Sequence, residues 1–234
     1  MNKIKRYELK YSYPEVFIDS VYAQVLQHPK LFKEIYQERC IYNISLDSHS
    51  LDNYHDNISG VKKRIKHRIR WYNDPSNAIN PILEFKYKDD RLGWKESYPL
   101  PSFVFDNTFV WTDFLNGVKK EYDHAANYAT VIEDLNCERP VLYNYYTRKY
   151  FISADKRYRI TVDKDLFYSR ISNNYIYATS KRDERIIVEI KFDEDSFDDA
   201  HLITNVLENR IISNSKYVTG INAVHFYDKI PWEV

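Results

Sequence analysis

The sequence feature that most constrains the fold is a strict alternation in residues 61–72, VKKRIKHRIRWY. Every second residue from 64 to 70 is Lys or Arg, and the residues between them are Ile or His. Side chains on a β-strand point alternately to two faces, so a strand would place these four cations on one face. A helix would spread them around its axis and leave no continuous apolar stripe. The stretch therefore predicts a strand with one basic face and one largely apolar face.

The same pattern recurs in four other segments, each with charged residues at one parity and bulky apolar residues at the other. The segments are 6–13, 81–88, 157–163 and 188–192. In a β-sandwich these charged faces would be turned to water. In a closed barrel with helices outside, they would meet around the axis and line a polar interior. The alternation alone fits both, but Glu-x-Lys repeated at Glu8, Glu84 and Glu189 is unusual for a passive surface.

The composition excludes several classes of protein. The 34 basic and 34 acidic residues cancel, so no global field attracts nucleic acid or anionic lipid, and any cation cluster is local. With four Gly and no Gly-rich phosphate motif, a phosphate site would be built from side chains. The two cysteines have no metal-binding spacing, and the N-terminus lacks the apolar core of a signal peptide. We therefore expect a cytoplasmic protein without transmembrane segments, folded as a single domain over residues 1–234.

The hydrophobic periodicity predicts a mixed α+β chain in which strands dominate. Helices are expected after Pro14 as far as residue 26, at 111–126 and at 199–211. Residues 47–57 are predicted as a polar connection, residues 73–80 as a loop, and 213–217 as a tail that closes the architecture. Strands are expected at 3–13, 39–47, 61–72, 82–88, 92–100, 139–151, 157–163, 166–171, 175–179 and 185–192.

Taken in order, several separated motifs resemble the VTC domain, the polyphosphate polymerase-like branch of the triphosphate tunnel metalloenzymes, also described as CYTH-like. The motifs are YELKY, RIKHRIRWY, NPILEFKYK with GWKESYPL, RPVLYNYYTRKYF, YRITVD, IVEIKF and SNSKY. They span nearly the whole chain. The resemblance implies an α+β fold: a closed antiparallel β-barrel of about eight strands that forms a triphosphate tunnel, with helices packed outside.

The resemblance also implies site residues. Basic side chains would hold a triphosphate or polyphosphate, and acidic ones a divalent metal, Mn²⁺ or Mg²⁺. The implied catalytic arginines are Arg68, Arg70, Arg148 and Arg159. The implied phosphate-binding residues are Lys10, Lys86, Lys95, Lys191, Ser215 and Lys216. The implied metal ligand is Glu189, and from the charge pattern we add Glu8, Glu84 or Asp163 as helpers. Hydrolytic relatives carry E-x-E-x-K in the first strand; here Arg6 replaces the first acid, so a two-carboxylate metal site within that strand is not expected.

These residue types suit phosphoryl transfer. Guanidinium groups bind phosphate oxygens in pairs, lysines supply point charges, and positioning with charge stabilisation does most of the chemistry. An alternative reading makes Glu8, Glu84 and Asp163 salt-bridge partners that neutralise the interior without metal.

The leading functional hypothesis is a metal-dependent polyphosphate polymerase that transfers the terminal phosphate of ATP to a polyphosphate chain. The alternatives are a triphosphate hydrolase, acting on tripolyphosphate, nucleoside triphosphates or RNA 5′-triphosphates, and a non-catalytic module that binds polyphosphate or inositol polyphosphate. The expected partners are ATP and polyphosphate, with a membrane partner left open. No nucleic-acid platform is expected, because such platforms expose aromatics and here the aromatics lie at the parity opposite the cations.

Overall fold

The computed structural model describes residues 5–106, 108–122, 133, 135–172, 175–176, 180–197, 199–204, 207 and 209–226. Strands dominate the described chain. They are β1 (Arg6–Pro14), β2 (Lys33–Asp47), β3 (Lys63–Tyr72), β4 (Asn77–Ala78), β5 (Ile82–Asp89), β6 (Leu92–Pro99), β7 (Phe103–Val104), β8 (Arg139–Ile152), β9 (Tyr158–Ser172), β10 (Tyr175–Ile176), β11 (Lys181–Asp183) and β12 (Arg185–Asp193).

The α-helices of the described residues are α1 (Ile18–Leu26), α2 (Asp52–Ile58), α3 (Trp111–Tyr122), α4 (His201–Thr204) and α5 (Lys216–His225). Single turns of 3₁₀-helix occur at Glu15–Phe17, before α1, and at Glu194–Ser196. None of the helices in the described part of the chain has the length and apolar character that crossing a bilayer requires.

Eight strands form a closed antiparallel barrel, as the sequence resemblance predicts. Their order around the barrel is β9, β12, β1, β6, β5, β3, β2 and β8, and the pairing of β8 with β9 closes the circle. The weakest seam is between β1 and β6, which pair only at Arg6 and Gly93. Beside this seam the chain after residue 208 runs along the free edge of β1, where the Ile212 amide donates to the Lys10 carbonyl at 2.8 Å.

Cross-strand register explains why the charged rows share one side of the barrel wall. Residues directly opposite each other in neighbouring strands point to the same face. Register places Lys10 opposite Glu189, Arg68 opposite Glu84, and Lys66 opposite Lys86. The alternating charges of separate strands therefore meet inside the barrel.

The apolar parity of the same strands packs against the helices outside. Trp71 and Leu83 belong to a cluster of buried apolar residues that includes Leu115 of α3. Val188 belongs to a second cluster, which includes Val21 of α1. A third cluster joins β8 and β9 to Tyr217 and Ile221 of α5. Burial of this apolar surface is the main favourable term in folding, and it fixes the charged faces inward.

Several expected elements differ from the structure. The predicted polar connection 47–57 contains α2, because the buried Asp47 carboxylate accepts from the amides of Asn53 and Tyr54 at 3.0 and 3.1 Å and caps its first turn. The predicted tail 213–217 instead opens α5, and Ser215 caps that helix. Among the described residues of the predicted helix 199–211, only those of α4 are α-helical. The two strands expected in 157–171 are one continuous β9. Residues 3–4, 123–126, 177–179, 205–206 and 208 of predicted elements lie outside the described residues.

Candidate functional site

The interior of the barrel holds a cavity of about 290 Å³, near the lower end of the roughly 300–1,000 Å³ that ligand pockets occupy. Among the described residues, twelve Lys or Arg side chains line it, against three carboxylates. The carboxylates are Glu8, Glu84 and Glu189. A chain with zero net charge therefore concentrates cations in its interior, and this is the condition for binding a polyanion.

One cluster of opposite charges lies on β1, β5 and β12. Lys10 is 3.4 Å from Glu189, and Lys86 is 2.8 Å from Glu8. Lys191 pairs with both acids. Burial raises the pKa of both glutamates, and the neighbouring Glu189 carboxylate also raises that of Glu8. Even so, Lys191 and Lys10 hold the pKa of Glu189 well below its usual value, and Lys10 with Lys86 lowers that of Glu8. Both carboxylates are therefore ionised at neutral pH.

A second cluster surrounds Glu84 on β5. Its Oε2 accepts from Arg68 Nε at 2.6 Å, and its Oε1 accepts from Lys95 Nζ at 2.7 Å. Burial opposes ionisation, yet Arg68, Arg70 and Lys95 together lower the pKa of this carboxyl strongly. Because both oxygens already bind cations, Glu84 acts in this structure as a counter-charge that holds the arginines in position.

The third cluster joins β8, β9 and the start of α5. Asp163 is fully buried, and its two oxygens accept from Arg148 Nε at 2.5 Å and Nη2 at 2.7 Å. Lys216 Nζ lies 2.5 Å from Asp163 Oδ2. The carboxylate raises the pKa of Arg148 well above its usual value despite burial. This pair fixes the guanidinium plane and ties α5 to the barrel wall.

Tyr146 and Arg70 connect the second and third clusters. Arg70 Nη2 donates to the Tyr146 hydroxyl at 2.9 Å, and Arg70 Nε donates to Asn43 Oδ1 at 2.9 Å. The guanidinium of Arg148 lies over the Tyr146 ring at 5.2 Å. Burial would raise the pKa of Tyr146, but Arg148 and Arg70 lower it overall. The sequence analysis did not assign Tyr146, although it shares the parity of Arg148.

The segment 213–216 forms part of the cavity wall beside the seam between β1 and β6. Lys10 Nζ donates to the Asn214 carbonyl at 2.9 Å, and Lys66 Nζ donates to Ser215 Oγ at 2.8 Å. The same Ser215 oxygen accepts from the Val218 amide at 3.4 Å as the cap of α5. The N-terminus of α5, with its partial positive charge, is thus placed at the cavity.

The structure brings together, around the cavity, all but one of the site residues predicted from the sequence. Those that line the cavity are Glu8, Lys10, Arg68, Arg70, Glu84, Lys86, Lys95, Arg148, Glu189, Lys191, Ser215 and Lys216. Arg159 is the exception: it is exposed, lies opposite Lys191 in the register, and does not line the cavity. Arg159 shares the inward parity of Asp163. In the register of β9 with β12, however, it lies two residues beyond Thr161, the residue opposite Glu189. Sequence reasoning also left out Lys66, which its parity with Arg68 could have identified.

Glu8 and Glu189 are the best candidates among the described residues for holding a hard divalent cation, although their oxygens, like those of Glu84, pair with basic side chains here. These two ionised carboxylates lie side by side, and oxygen ligands of this kind suit Mg²⁺ and Mn²⁺. No group of three or more His, Cys, Asp or Glu arranged for metal binding occurs in the described part of the chain. A metal held by Glu8 and Glu189 would therefore need further oxygens from phosphate or water.

Comparison with known proteins finds a similar fold in a solved structure and a family model that matches most of the chain. A Pyrococcus horikoshii OT3 protein, PH1819, matches with a TM-score of 0.50 and 12% identity over 93% of this chain and 99% of its own. The Hippeastrum protein HpAC1, described as having a dominant triphosphatase activity, matches with a TM-score of 0.49 and 10% identity, over 94% of this chain and 96% of its own. Among curated proteins, the sequence search finds no match. The family model of the VTC domain matches residues 5–225, and the chain belongs to that family.

Proposed function

We propose that this protein is a metal-dependent polyphosphate polymerase, which transfers the terminal phosphate of ATP to a polyphosphate chain inside the barrel. The observation that carries the proposal is the convergence of twelve basic side chains on one cavity in a chain of zero net charge. Polyphosphate carries about one negative charge per phosphate group, and charge-assisted hydrogen bonds to it are stronger than neutral ones. Membership of the VTC domain family supports the same substrate class.

The arginines have the geometry to orient reacting phosphates. Arg148 and Arg68 are held by Asp163 and Glu84, so their planar groups are fixed before substrate arrives. Such preorganisation stabilises transition-state charge without reorganisation during the reaction. In the transfer, an oxygen of the chain end forms a bond to the γ-phosphorus of ATP, the bond from that phosphorus to the bridging oxygen breaks, and ADP leaves with the electron pair.

The lysines would compensate charge along the rest of the substrate. Lys10, Lys86 and Lys191 lie beside Glu8 and Glu189, so incoming phosphate oxygens would compete with these carboxylates for the same ammonium groups. A divalent cation bound at Glu8 and Glu189 would supply Lewis-acid polarisation of phosphate oxygens. The basic side chains would bind and orient the phosphate groups.

A product assay tests the proposal. Purified protein is incubated with ATP and Mn²⁺, and long-chain polyphosphate, ADP and free phosphate are measured separately. We expect chains to form with about one ADP released for each phosphate transferred, as the group-transfer stoichiometry requires. Free phosphate without chains would contradict polymerisation and indicate hydrolysis, and tripolyphosphate binding without turnover would indicate a binding module.

Paired variants on β12 make the assay specific. Glu189→Gln removes a buried carboxylate of the cavity. Asp193→Asn, on the same strand, changes an exposed carboxylate that pairs with Arg6 of β1 at 2.9 Å. Removing one electrostatic group of an active site costs about 10²–10³ in turnover, and we expect that loss only for Glu189→Gln. Equal turnover in the two variants would remove Glu189 from the mechanism.

A further inference from the structure

Lys66 is a lysine of the barrel interior that has no role in the proposed phosphate transfer. It lies on β3 opposite Lys86, and its Nζ donates to Ser215 Oγ at 2.8 Å. Unlike Lys10, Lys86, Lys95 and Lys191, it forms no ion pair with any acid of the described residues. Its side-chain nitrogen is therefore directed at a neutral hydroxyl on the cavity wall.

The groups around Lys66 are mostly cationic. Lys86 and Lys88 face it from β5, Lys10 and Glu8 from β1, and Arg64 from its own strand, while Ser215 and Lys216 belong to the start of α5. Glu8 is already bound by Lys86 and lies near Lys10 and Lys191. This part of the cavity therefore has positive charge that no carboxylate balances.

A purely structural role does not account for this arrangement. A lysine that only stabilised the fold would be expected to pair with an acid, because a carboxylate offsets the cost of burying the ammonium form and one neutral hydroxyl does not. The Ser215 hydroxyl can donate its own hydrogen to an acceptor while its oxygen accepts from Lys66. The two groups, with the N-terminus of α5 beside them, can form a cradle that contacts one phosphate group.

We propose that Lys66 and Ser215 bind one phosphate group of the polyphosphate substrate, and that Lys66 takes up a proton when this phosphate binds. The inference rests on the proposed function, since it assigns a further residue to the same site. Burial and then the nearby Lys86 and Lys10 lower the pKa of Lys66 well below its usual value, which favours the neutral amine before an anion arrives. A phosphate dianion within hydrogen-bond distance would reverse the balance of charge and restore the ammonium form.

The test is titration calorimetry with metal-free tripolyphosphate in two buffers of different ionisation enthalpy at mildly alkaline pH, which measures affinity and proton uptake together. Lys66→Met removes the donor, and the loss of a charged hydrogen bond is expected to weaken binding about tenfold or more. Lys66→Arg keeps the positive charge but cannot lose its proton. Lys66→Arg is expected to bind tripolyphosphate with an affinity within a few-fold of wild type. Its proton uptake on binding should be smaller than that of wild type, by at most about one proton.

Two features of the design isolate Lys66. Burial lowers the pKa of Lys86 to about 8, and a charge at residue 66 would shift it further, so the comparison is repeated with Lys86→Met in both proteins. The titration of tripolyphosphate is common to both, so the remaining difference reports on Lys66. Lys63→Met is the matched control, since Lys63 is an exposed residue of the same strand, and it should change neither quantity.

The outcomes separate this inference from the proposed function. Wild type that binds tripolyphosphate, with unchanged affinity in Lys66→Met or unchanged proton uptake in Lys66→Arg, would overturn the inference and leave the polymerase proposal standing. Wild type that binds no tripolyphosphate would overturn both. Weaker binding by Lys66→Met with a smaller proton uptake in Lys66→Arg would establish the cradle.

Discussion

Asp163→Asn should destabilise the protein more than any exposed carboxylate change, and a polyanion should restore part of the loss. Asp163 is fully buried and binds both Arg148 and Lys216. Breaking a buried pair from one side costs about 3–5 kcal/mol, because the remaining charge is uncompensated. At about 2–4 °C per kcal/mol for a chain of this size, Tm should fall by about 6–20 °C.

The pH dependence of this variant has a definite sign. Arg148 and Lys216 outweigh burial and lower the pKa of Asp163, so its contribution to stability is present above the unfolded pKa of about 3.9. It is lost as the pH falls through the lower folded value. The wild-type and Asp163→Asn curves of Tm against pH should therefore be far apart at neutral pH and approach each other on acidification.

Differential scanning fluorimetry measures both effects. The control is Asp199→Asn, whose carboxylate pairs with Arg157 at 3.0 Å on the exposed surface and should contribute less than about 1 kcal/mol. Tripolyphosphate should raise the Tm of Asp163→Asn by more than it raises that of wild type, because two unbalanced cations face the cavity. Equal Tm values for the two variants, or an equal rise with tripolyphosphate, would refute the reasoning.

Two further predictions concern how the cavity binds anions and how α5 is held. Tripolyphosphate at 100 times Kd should stabilise wild type by about 2.7 kcal/mol, measured as a shift in Tm. Arg70→Ala should lose more than half of this stabilisation. A shift as large as that of wild type would place the anion elsewhere. Gly220→Ala should destabilise by about 1–3 kcal/mol in chemical denaturation, despite the better helix propensity of Ala, because its Cβ would lie 2.5 Å from Leu142 Cδ2 and 2.6 Å from Tyr168 Cδ1. It should also weaken tripolyphosphate binding by displacing the start of α5, and unchanged stability would show that Leu142 and Tyr168 can move aside.

Strand parity predicted that the charges of each strand share one face, and the family resemblance implied that this face is the interior of the barrel. The pairing of Glu8, Lys10 and Glu189 follows from two alternating strands in antiparallel register. Parity does not give the depth along the barrel axis: Arg159 shares the parity of Asp163, yet it is exposed and does not line the cavity. Depth depends on the stagger of the strands, which a single segment does not encode.

The start of α5 and the helix α2 escaped prediction for a different reason. The cap of α2 comes from Asp47 at the end of β2, and its buried anchor is Tyr54, whose hydroxyl donates to Asn222 of α5 at 2.5 Å. In α5 a central Gly220 and several β-branched residues weaken the local helical signal, and packing against Leu142 compensates. Both helices are stabilised by contacts distant in sequence, and local periodicity cannot report such contacts.

We expect the inward-facing charges of separate strands to form one anion site. This can be tested with a crystal structure of the protein with Mn²⁺ and a nonhydrolysable ATP analogue. Phosphate groups should lie inside the barrel, within hydrogen-bond distance of Arg68 and Arg148, with the metal at Glu189. A nucleotide bound on the outer surface, with no phosphate contacting either arginine, would contradict it.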